Sequence, residues 1–543
     1  MSSEPAMIDP VAGNLHGSPR SIREDRRPIG CLVEVGLLVM LFFVYAGDPP
    51  PMVNESHYLV KAKNYWQPDW CASDMLASSA KAHVTFYAVF GWLTQLFSLS
   101  TTAWIGRFVG WTMLAFGLQQ LCRSLFQRPY ASLAVATVWI AGIEYGNLAG
   151  EWVVGGIEAK VPAYGFVLLG LSEMVRRRWN RVWPLLGLAS AFHVLTGGWS
   201  VVAAAFAWWI TERGQPDRRP LLTPWLFVGG AIALFGLLPA VALTLRAGSE
   251  DSATAARIYT YYRLRHHLLP ADFAASWYLR HAVLLLATFV AAYQFRGDAK
   301  MVRAGAFTLG AVLIAATGFL LGYLPSYDPD LAARLLRYYW FRLSDAAVPL
   351  MLGLCIAGML LDHRSTTFRV GLAGLALAVT LVSTSAYQSA RLKIPPTVSN
   401  DLLGYDAGAP VDRQQQVYRD WLAVCRWARL SSPSDEVFLT PRHQQTFKWY
   451  AERGEVVNWK DVPQDAKSLL EWHRRFQEIF PRRLGHIRVT IRYDDLRQFR
   501  RRYGARWMIV DQRICGDRLP LVRLYPVAGE RNDTFAVYEL PEL

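Results

Sequence analysis

The sequence predicts a polytopic α-helical membrane protein closed by a small C-terminal α/β domain, and three observations carry that expectation. Of the 543 residues, 52% are hydrophobic and only 18% are charged, whereas soluble domains carry nearer a quarter charged residues. The shortfall lies in the first three-quarters of the chain, where apolar runs recur between short basic loops, as spans of about 20 apolar residues require. From Arg391 the composition turns polar and the apolar periodicity shortens, which marks a separate soluble unit.

Residues 1–29 read as a disordered basic cytoplasmic tail carrying Arg20, Arg23, Arg26 and Arg27. The apolar stretch Ile29–Ala46 suits a membrane helix. It starts late and lacks the small-residue cleavage site of a signal peptide. Arginines precede it and none follow directly, so the positive-inside tendency runs it outward from the cytoplasm. The expectation is a multi-pass protein of the cell's inner (plasma) membrane, N-terminus cytoplasmic. Residues 30–388 would form the membrane domain, with about 10–13 spans and an external loop at 47–82. Later spans are expected near 221–245, 278–294, 302–324, 346–361 and 369–386. Gly197 and Gly198 in AFHVLTGGWSVV are expected to break one helix in two.

Residues 391–543 alternate strand and helix patterns, as a small α/β domain does, and this domain is expected on the external side. DEVFLTP, EVVNW and RWMIVDQ read as strands; HQQTFKWYAER, SLLEWHRRFQEIF and DDLRQFRRRYG read as helices. LVRLYPVAGERNDTFAVYEL alternates like a hairpin. Arg500, Arg501 and Arg502 fit a solvated helix face.

The net charge of +14 sits largely in loops between apolar segments, which fits membrane topology and argues against nucleic acid as a partner. The six cysteines show no CxxC pair or Cys/His cluster, so neither a zinc site nor a disulfide framework is indicated. No GxGxxG, Walker or GxSxG motif occurs.

Chemistry concentrates in two polar connections. The first is GDPPPMVNESHYLVKAKNYWQPDWCASDMLASSAKAHVTFY, between the first two apolar runs. Its acids Glu55, Asp69 and Asp74 can deprotonate a hydroxyl as general base, or bind a divalent metal such as Mg or Mn. The alternative is ordinary loop acids paired with Lys61 and Lys63. Lys81 and His83 stand where the loop re-enters the membrane, where a lysine can hold a lipid phosphate or snorkel to the interface. Arg107, inside an apolar segment, needs a partner or marks a helix end.

The second connection, IEYGNLAGEWVVGGIEAKVPAYG, holds Glu144, Glu151, Glu158 and Lys160; His193 follows later in AFHVLTGG. Ionisable groups at membrane depth are functional candidates; a wet external loop and a helix-packing histidine are the plainer readings. Glu158 and Lys160, two apart, would point in different directions on a helix. Two further loops place Tyr and His (246–281) and Arg334, Arg337 and Arg342 beside aromatics.

The motifs of the first connection resemble the GT-C superfamily of membrane glycosyltransferases, in particular the branch with protein O-mannosyltransferases and lipid A aminoarabinose transferases. In those proteins an external loop opens on an Asp-Glu-x-x-Tyr-like motif and closes on Lys-Pro-Pro-Leu or His-Pro-Pro-Leu. NESHY matches the first at Glu55 and Tyr58, with Asn54 where the family has its leading Asp. KAHVTFYAVFGWLTQLFSLSTTAWIGR is similar to the second, giving Lys81, His83 and Arg107 without the two prolines. The resemblance implies transfer of a sugar from a polyprenyl-phosphate donor to an acceptor at the outer membrane face. A loop acid would serve as base or metal ligand, and Lys81 would contact the donor phosphate. With Asn54 in the leading place, that implied role passes to Glu55, Asp69 or Asp74, or transfer is lost. Two rival classes stand beside it: a transporter or flippase using Glu144, Glu151, Glu158 and His193, and a non-catalytic membrane scaffold whose soluble domain binds a partner; in every case membrane lipids are expected partners.

Overall fold

The computed structural model describes residues 28–52, 54–126, 128–245, 248–362, 410–480, 492–516 and 519–542. Residues 1–27 of the expected tail, the span expected near 369–386 and the boundary near 391 lie outside the described residues.

The N-terminal part is a helical bundle. Its long helices are α1 (Pro28–Ala46), α5 (Leu99–Phe126), α6 (Ala131–Gly146), α7 (Lys160–Val175), α8 (Trp179–Phe192), α9 (Val194–Glu212), α10 (Pro224–Leu245), α13 (Ala275–Tyr293), α14 (Ala299–Leu321) and α16 (Arg342–Asp362). The connections hold shorter helices: α2 (Glu55–Trp66), α3 (Met75–Ser78), α4 (Val84–Gly91), α11 (Ser249–Arg257), α12 (Arg265–Leu268) and α15 (Pro329–Leu336). The external loop expected at 47–82 therefore holds two helices, α2 and α3.

Among the described residues five helices, α9, α10, α13, α14 and α16, are long and apolar enough to cross a membrane; α1 and α6 are shorter apolar helices. Of the 10–13 spans expected, the one near 369–386 lies outside the described residues, and α7 and α8, at 16 and 14 residues, are too short to stand among the five. Phe235, Leu245, Leu279 and Phe289 point outward, each at least 67% exposed, and such an apolar belt suits a lipid-facing surface.

Contacts between helix termini define two ends. At one end Glu34 of α1 accepts from Ser132 Oγ at the start of α6 (2.5 Å) and from Gln119 Nε2 of α5 (3.2 Å). There Lys300 and Arg303, at the start of α14, donate to the carbonyls of Ser124 (2.8 Å) and Val175 (2.7 Å). At the other end the Leu148 and Ala149 amides, just past α6, donate to Asp345 in the first turn of α16, both at 2.9 Å. His281 of α13 bonds the Gly146 carbonyl there (2.9 Å), and Trp199 of α9 donates to Tyr338 O (2.9 Å). The chain thus runs up and down, and the long connections 47–83, 147–159, 246–274 and 322–341 share this second end.

The expected break at Gly197 and Gly198 falls instead at His193, which separates α8 from α9 in an extended conformation (φ −142°, ψ 101°). Gly197 serves a close approach instead. A Cβ there would stand 2.1 Å from Ser190 N, so its absence lets α9 fold back against α8. Likewise a Cβ on Gly187 would meet Gly229 O at 2.3 Å, so α8 and α10 pack backbone to backbone, as small residues permit in apolar bundles.

The C-terminal part holds a five-stranded sheet of order β2-β1-β3-β5-β4: β1 (Val437–Leu439), β2 (Gly454–Glu455), β3 (Trp507–Asp511), β4 (Arg523–Tyr525) and β5 (Phe535–Glu539). β2, β1 and β3 are parallel, and β5 lies antiparallel to β3 and β4. Side chains alternate between faces. Val437, Leu439, Met508 and Val510 meet Trp472, Phe476, Leu496 and Phe499, and Phe438, Ile509 and Val537 meet Val417, Trp421 and Val424. Helices Val411–Ser431, Ala466–Ile479 and Tyr493–Tyr503 supply those partners. Two elements are shorter than expected. HQQTFKWYAER is helical only over Phe447–Ala451, and EVVNW is a strand only at Glu455, within β2, because the chain bends into polar turns on either side.

Candidate functional site

NESHY opens α2, with Asn54 as the residue preceding its first turn. Glu55 is fully buried and receives four donors: Arg107 Nε at 2.7 Å, Arg107 Nη2 at 2.5 Å, the Ile157 amide at 2.8 Å and the Met52 amide at 2.8 Å. Arg107, inside α5 rather than at its end, also donates to Asp48 O and lies over the Trp104 ring at 4.6 Å. A buried carboxylate paired in this fork geometry is fixed, so Glu55 joins the opening connection to α5 and to the second connection.

Asp74 faces elsewhere. It caps α3 by accepting from the Ala77 amide (2.8 Å), accepts from the Glu455 amide (3.1 Å) and pairs with Lys448 (3.2 Å). Lys448, buried, also holds Glu455 and Asp461, each at 2.5 Å. Burial alone would lower the Lys448 ammonium, but Asp461, Asp74 and Glu455 outweigh it and raise it. Asp69 is exposed in a turn. Lys81 closes its own loop, donating to Asn64 Oδ1 (2.9 Å), Ala77 O (3.1 Å) and Ser79 O (3.4 Å). Those are the three donors an ammonium has. The three loop acids therefore do not share a site.

Tyr58 and His83 turn inward together. Tyr58 Oη lies 3.4 Å from His83 Nε2, and Gln464 of the C-terminal part reaches the same nitrogen at 3.1 Å. His83 stacks on His193 with ring centroids 5.3 Å apart and planes 12° apart. His193 Nδ1 accepts from the Thr196 amide (3.2 Å), capping α9. Burial pushes the His57 and His83 rings down to about 3, so both are neutral near pH 7.

The second connection comes to the same place. Asp345 holds its start through Leu148 and Ala149, and Glu55 holds its end through Ile157. Between them Glu151 pairs with Lys160 (2.9 Å) and with Arg342 (3.1 Å), and Lys160 lies 3.9 Å from Glu158. Glu158 and Lys160 were expected to point apart; they meet because Glu158 precedes α7 and only Lys160 belongs to the helix. Lys160 sits over the Trp152 ring (3.9 Å) and Arg342 over the Tyr339 ring (3.7 Å). Glu144 stands apart, accepting from Tyr45 Oη (2.5 Å) at the surface.

Glu158 lies near Asn54. Its Oε1 is buried without a hydrogen-bond partner, in a residue 3% exposed. Burial pushes this carboxyl up to about 7, against the pull of Lys160 and Asn54. Burial and the nearby Glu158 charge likewise push the Tyr58 phenol up. The result is one buried polar cluster at the covered end of the bundle: Asn54, Tyr58, His83, Glu151, Glu158, Lys160, His193 and Arg342. Among the described residues no three His, Cys, Asp or Glu side chains form a metal-ion ligand set; Glu55 and Asp74 have their own partners and Asp69 is exposed.

Sequence reasoning named Asn54 only as a departure from a motif, Arg342 only as an arginine beside aromatics, and Gln464 not at all. A signal for Arg342 was present, a cation at the start of a strongly apolar helix. Gln464 carries none.

A family model described as a domain of unknown function (DUF6798) matches residues 419–479. That segment carries Lys448, Glu455, Asp461 and Gln464, and so includes the C-terminal side chains that meet the opening connection. No curated protein matches the chain.

Proposed function

We propose that this chain is an integral membrane glycosyltransferase of the GT-C kind, with Glu158 as the base that activates the acceptor. The observation that carries this reading is the Glu158 carboxyl itself, buried with an oxygen that no hydrogen bond uses and 3.9 Å from Lys160. Asn54 stands where the resembled proteins have their leading Asp, and the acid missing there is supplied from the second connection. In the reaction the acceptor hydroxyl attacks the anomeric carbon of a polyprenyl-phosphate-linked sugar. The carbon–oxygen bond to phosphate breaks, and the hydroxyl proton passes to Glu158. Lys160 and Arg342, both held by Glu151, stabilise the charge developing on the leaving phosphate. Lys81, with its donors engaged in its own loop, shapes the connection instead.

Five apolar helices and the outward apolar belt support membrane integration. Arg123, Arg177, Arg178, Arg181 and Arg303 gather at the end away from the cluster. The positive-inside tendency makes that end cytoplasmic and the cluster external. The His193 break between two helices suits a transporter, but His83, stacked on His193, is bonded to Gln464 from the C-terminal part. That favours a cluster at the bundle's covered end over one halfway through it.

The test is a reconstituted assay with a panel of polyprenyl-phosphate-linked sugars. Glu158→Gln should lower turnover by about 10²–10⁴-fold, the usual contribution of general base catalysis, with an unchanged melting temperature. Full turnover in that variant would remove Glu158 from the chemistry.

A further inference from the structure

The C-terminal part meets the bundle along two lines of different character. Along Ser249–Arg263 the contact is largely apolar: Ala255 and Ile258 are buried in one cluster with Val456, Leu469, Trp472 and Phe476, and Tyr259 and Tyr262 pack against it. Arg263 adds a bond to Trp459 O (2.9 Å) and lies over the Trp459 ring. Against the opening connection the contact is mainly polar: Asp74 with Lys448 (3.2 Å) and the Glu455 amide (3.1 Å), Lys63 with Glu452 (3.5 Å), and Gln464 with His83 (3.1 Å). Trp449, buried, and Met75, packed against the C-terminal core, add a smaller apolar contact there.

The polar line is built to part without stranding a charge. Separated from Asp74, Lys448 keeps Glu455 and Asp461 within its own domain, each at 2.5 Å. Asp74 keeps the Ala77 amide, and Glu452 keeps Arg429 at 3.1 Å. A buried pair whose separation leaves one charge unpartnered costs several kcal/mol; here each charged member retains a partner, Lys63 through the Trp70 ring at 4.5 Å. The apolar line has no such provision, since separating it would expose Ile258, Trp472 and Phe476 to water.

We propose that the C-terminal domain is a hinged cover. It turns about the Ser249–Arg263 contact, the Asp74–Lys448 pair is its releasable latch, and Gln464 completes the buried cluster through His83 only when the latch is closed. Opening admits the acceptor to Glu158. That last step rests on the reading of the cluster as a transferase site; the motion and its test do not.

Cys71 reports the latch. It is buried at 4% exposure next to Asp74, and Lys448 and Glu452 of the C-terminal part lie near enough to act on its thiol. The full chain, carrying Cys31→Ser and Cys515→Ser to remove the more accessible thiols, is labelled with a maleimide in nanodiscs. Cys425, in the core between the sheet and the Val411–Ser431 helix, serves as the unfolding control. Asp74→Asn keeps a good helix cap and removes the charge. It should raise Cys71 labelling about tenfold, the scale of losing one charged hydrogen bond, while Cys425 stays protected. Lys448→Met should do the same. Unchanged Cys71 labelling in both variants overturns the latch. Labelling of Cys71 and Cys425 together overturns the hinge, since the domain would then be unfolding rather than turning. Sugar transfer is not read in this experiment, so its outcome is separate from the fate of the proposed function.

Discussion

The two polar connections at the covered end of the bundle carry similar charges and use them in opposite ways. In the opening connection three charges find full sets of partners: Glu55 takes four donors, Lys81 has three acceptors, and Asp74 has a cap and a cation. In the second, Glu158 keeps a buried oxygen without a hydrogen bond, beside cations that Glu151 holds in place. Buried polar groups are usually satisfied, so an exception asks for a reason. Charge density marked the first connection in the sequence; unused bonding capacity marks the second in the structure. The first is a frame, and the second is where a ligand has something to bond.

The sharpest way to break this comparison is Arg107→Ala. It leaves Glu55 buried and loosens the opening connection, α5 and Ile157 together. A loss of about 3–5 kcal/mol in stability is expected, as for a broken buried pair, measured by chemical denaturation in detergent. A loss below about 1 kcal/mol would mean that Glu55 is not the structural member of the two. The second test is pH. Burial raises Glu158 to about 7, and the base acts deprotonated, so transfer should climb about tenfold per pH unit below 7 and level off above it. Glu158→Gln should flatten that limb. The same group binds a proton in the native state that the unfolded chain releases between pH 4.5, its ordinary value, and about 7. Its contribution to stability therefore falls as pH rises through that window. The smallest effect sharpens the comparison from the other side: Asp69→Ala, at an exposed turn, should leave stability within about 0.5 kcal/mol and transfer unchanged.

Much of the fold was legible. The first helix, the apolar helices expected between 221 and 361 and the last three strands fall where hydropathy and period-two alternation put them, because those signals arise within about ten to twenty neighbouring residues. Helix interruption was less legible. Gly197 is read locally as a breaker, yet its role is a close approach to Ser190, which depends on how α8 and α9 pack. The site was legible only in pieces. Tyr58, His83, Glu151, Glu158, Lys160 and His193 were each singled out, but in two separate groups, and Glu55 and Asp74 drew attention for roles their partners now occupy.

By itself the sequence determined an apolar helical bundle, a polar α/β C-terminus and the stretches where charge is dense, since each follows from local composition and periodicity. The tertiary structure alone decided which charges pair. Glu55 meets Arg107 across 52 residues and Ile157 across 102, and Asp74 meets Glu455 across 381. No local pattern encodes those distances, because a buried charge is governed by whichever partner the packed chain brings within about 3 Å of it.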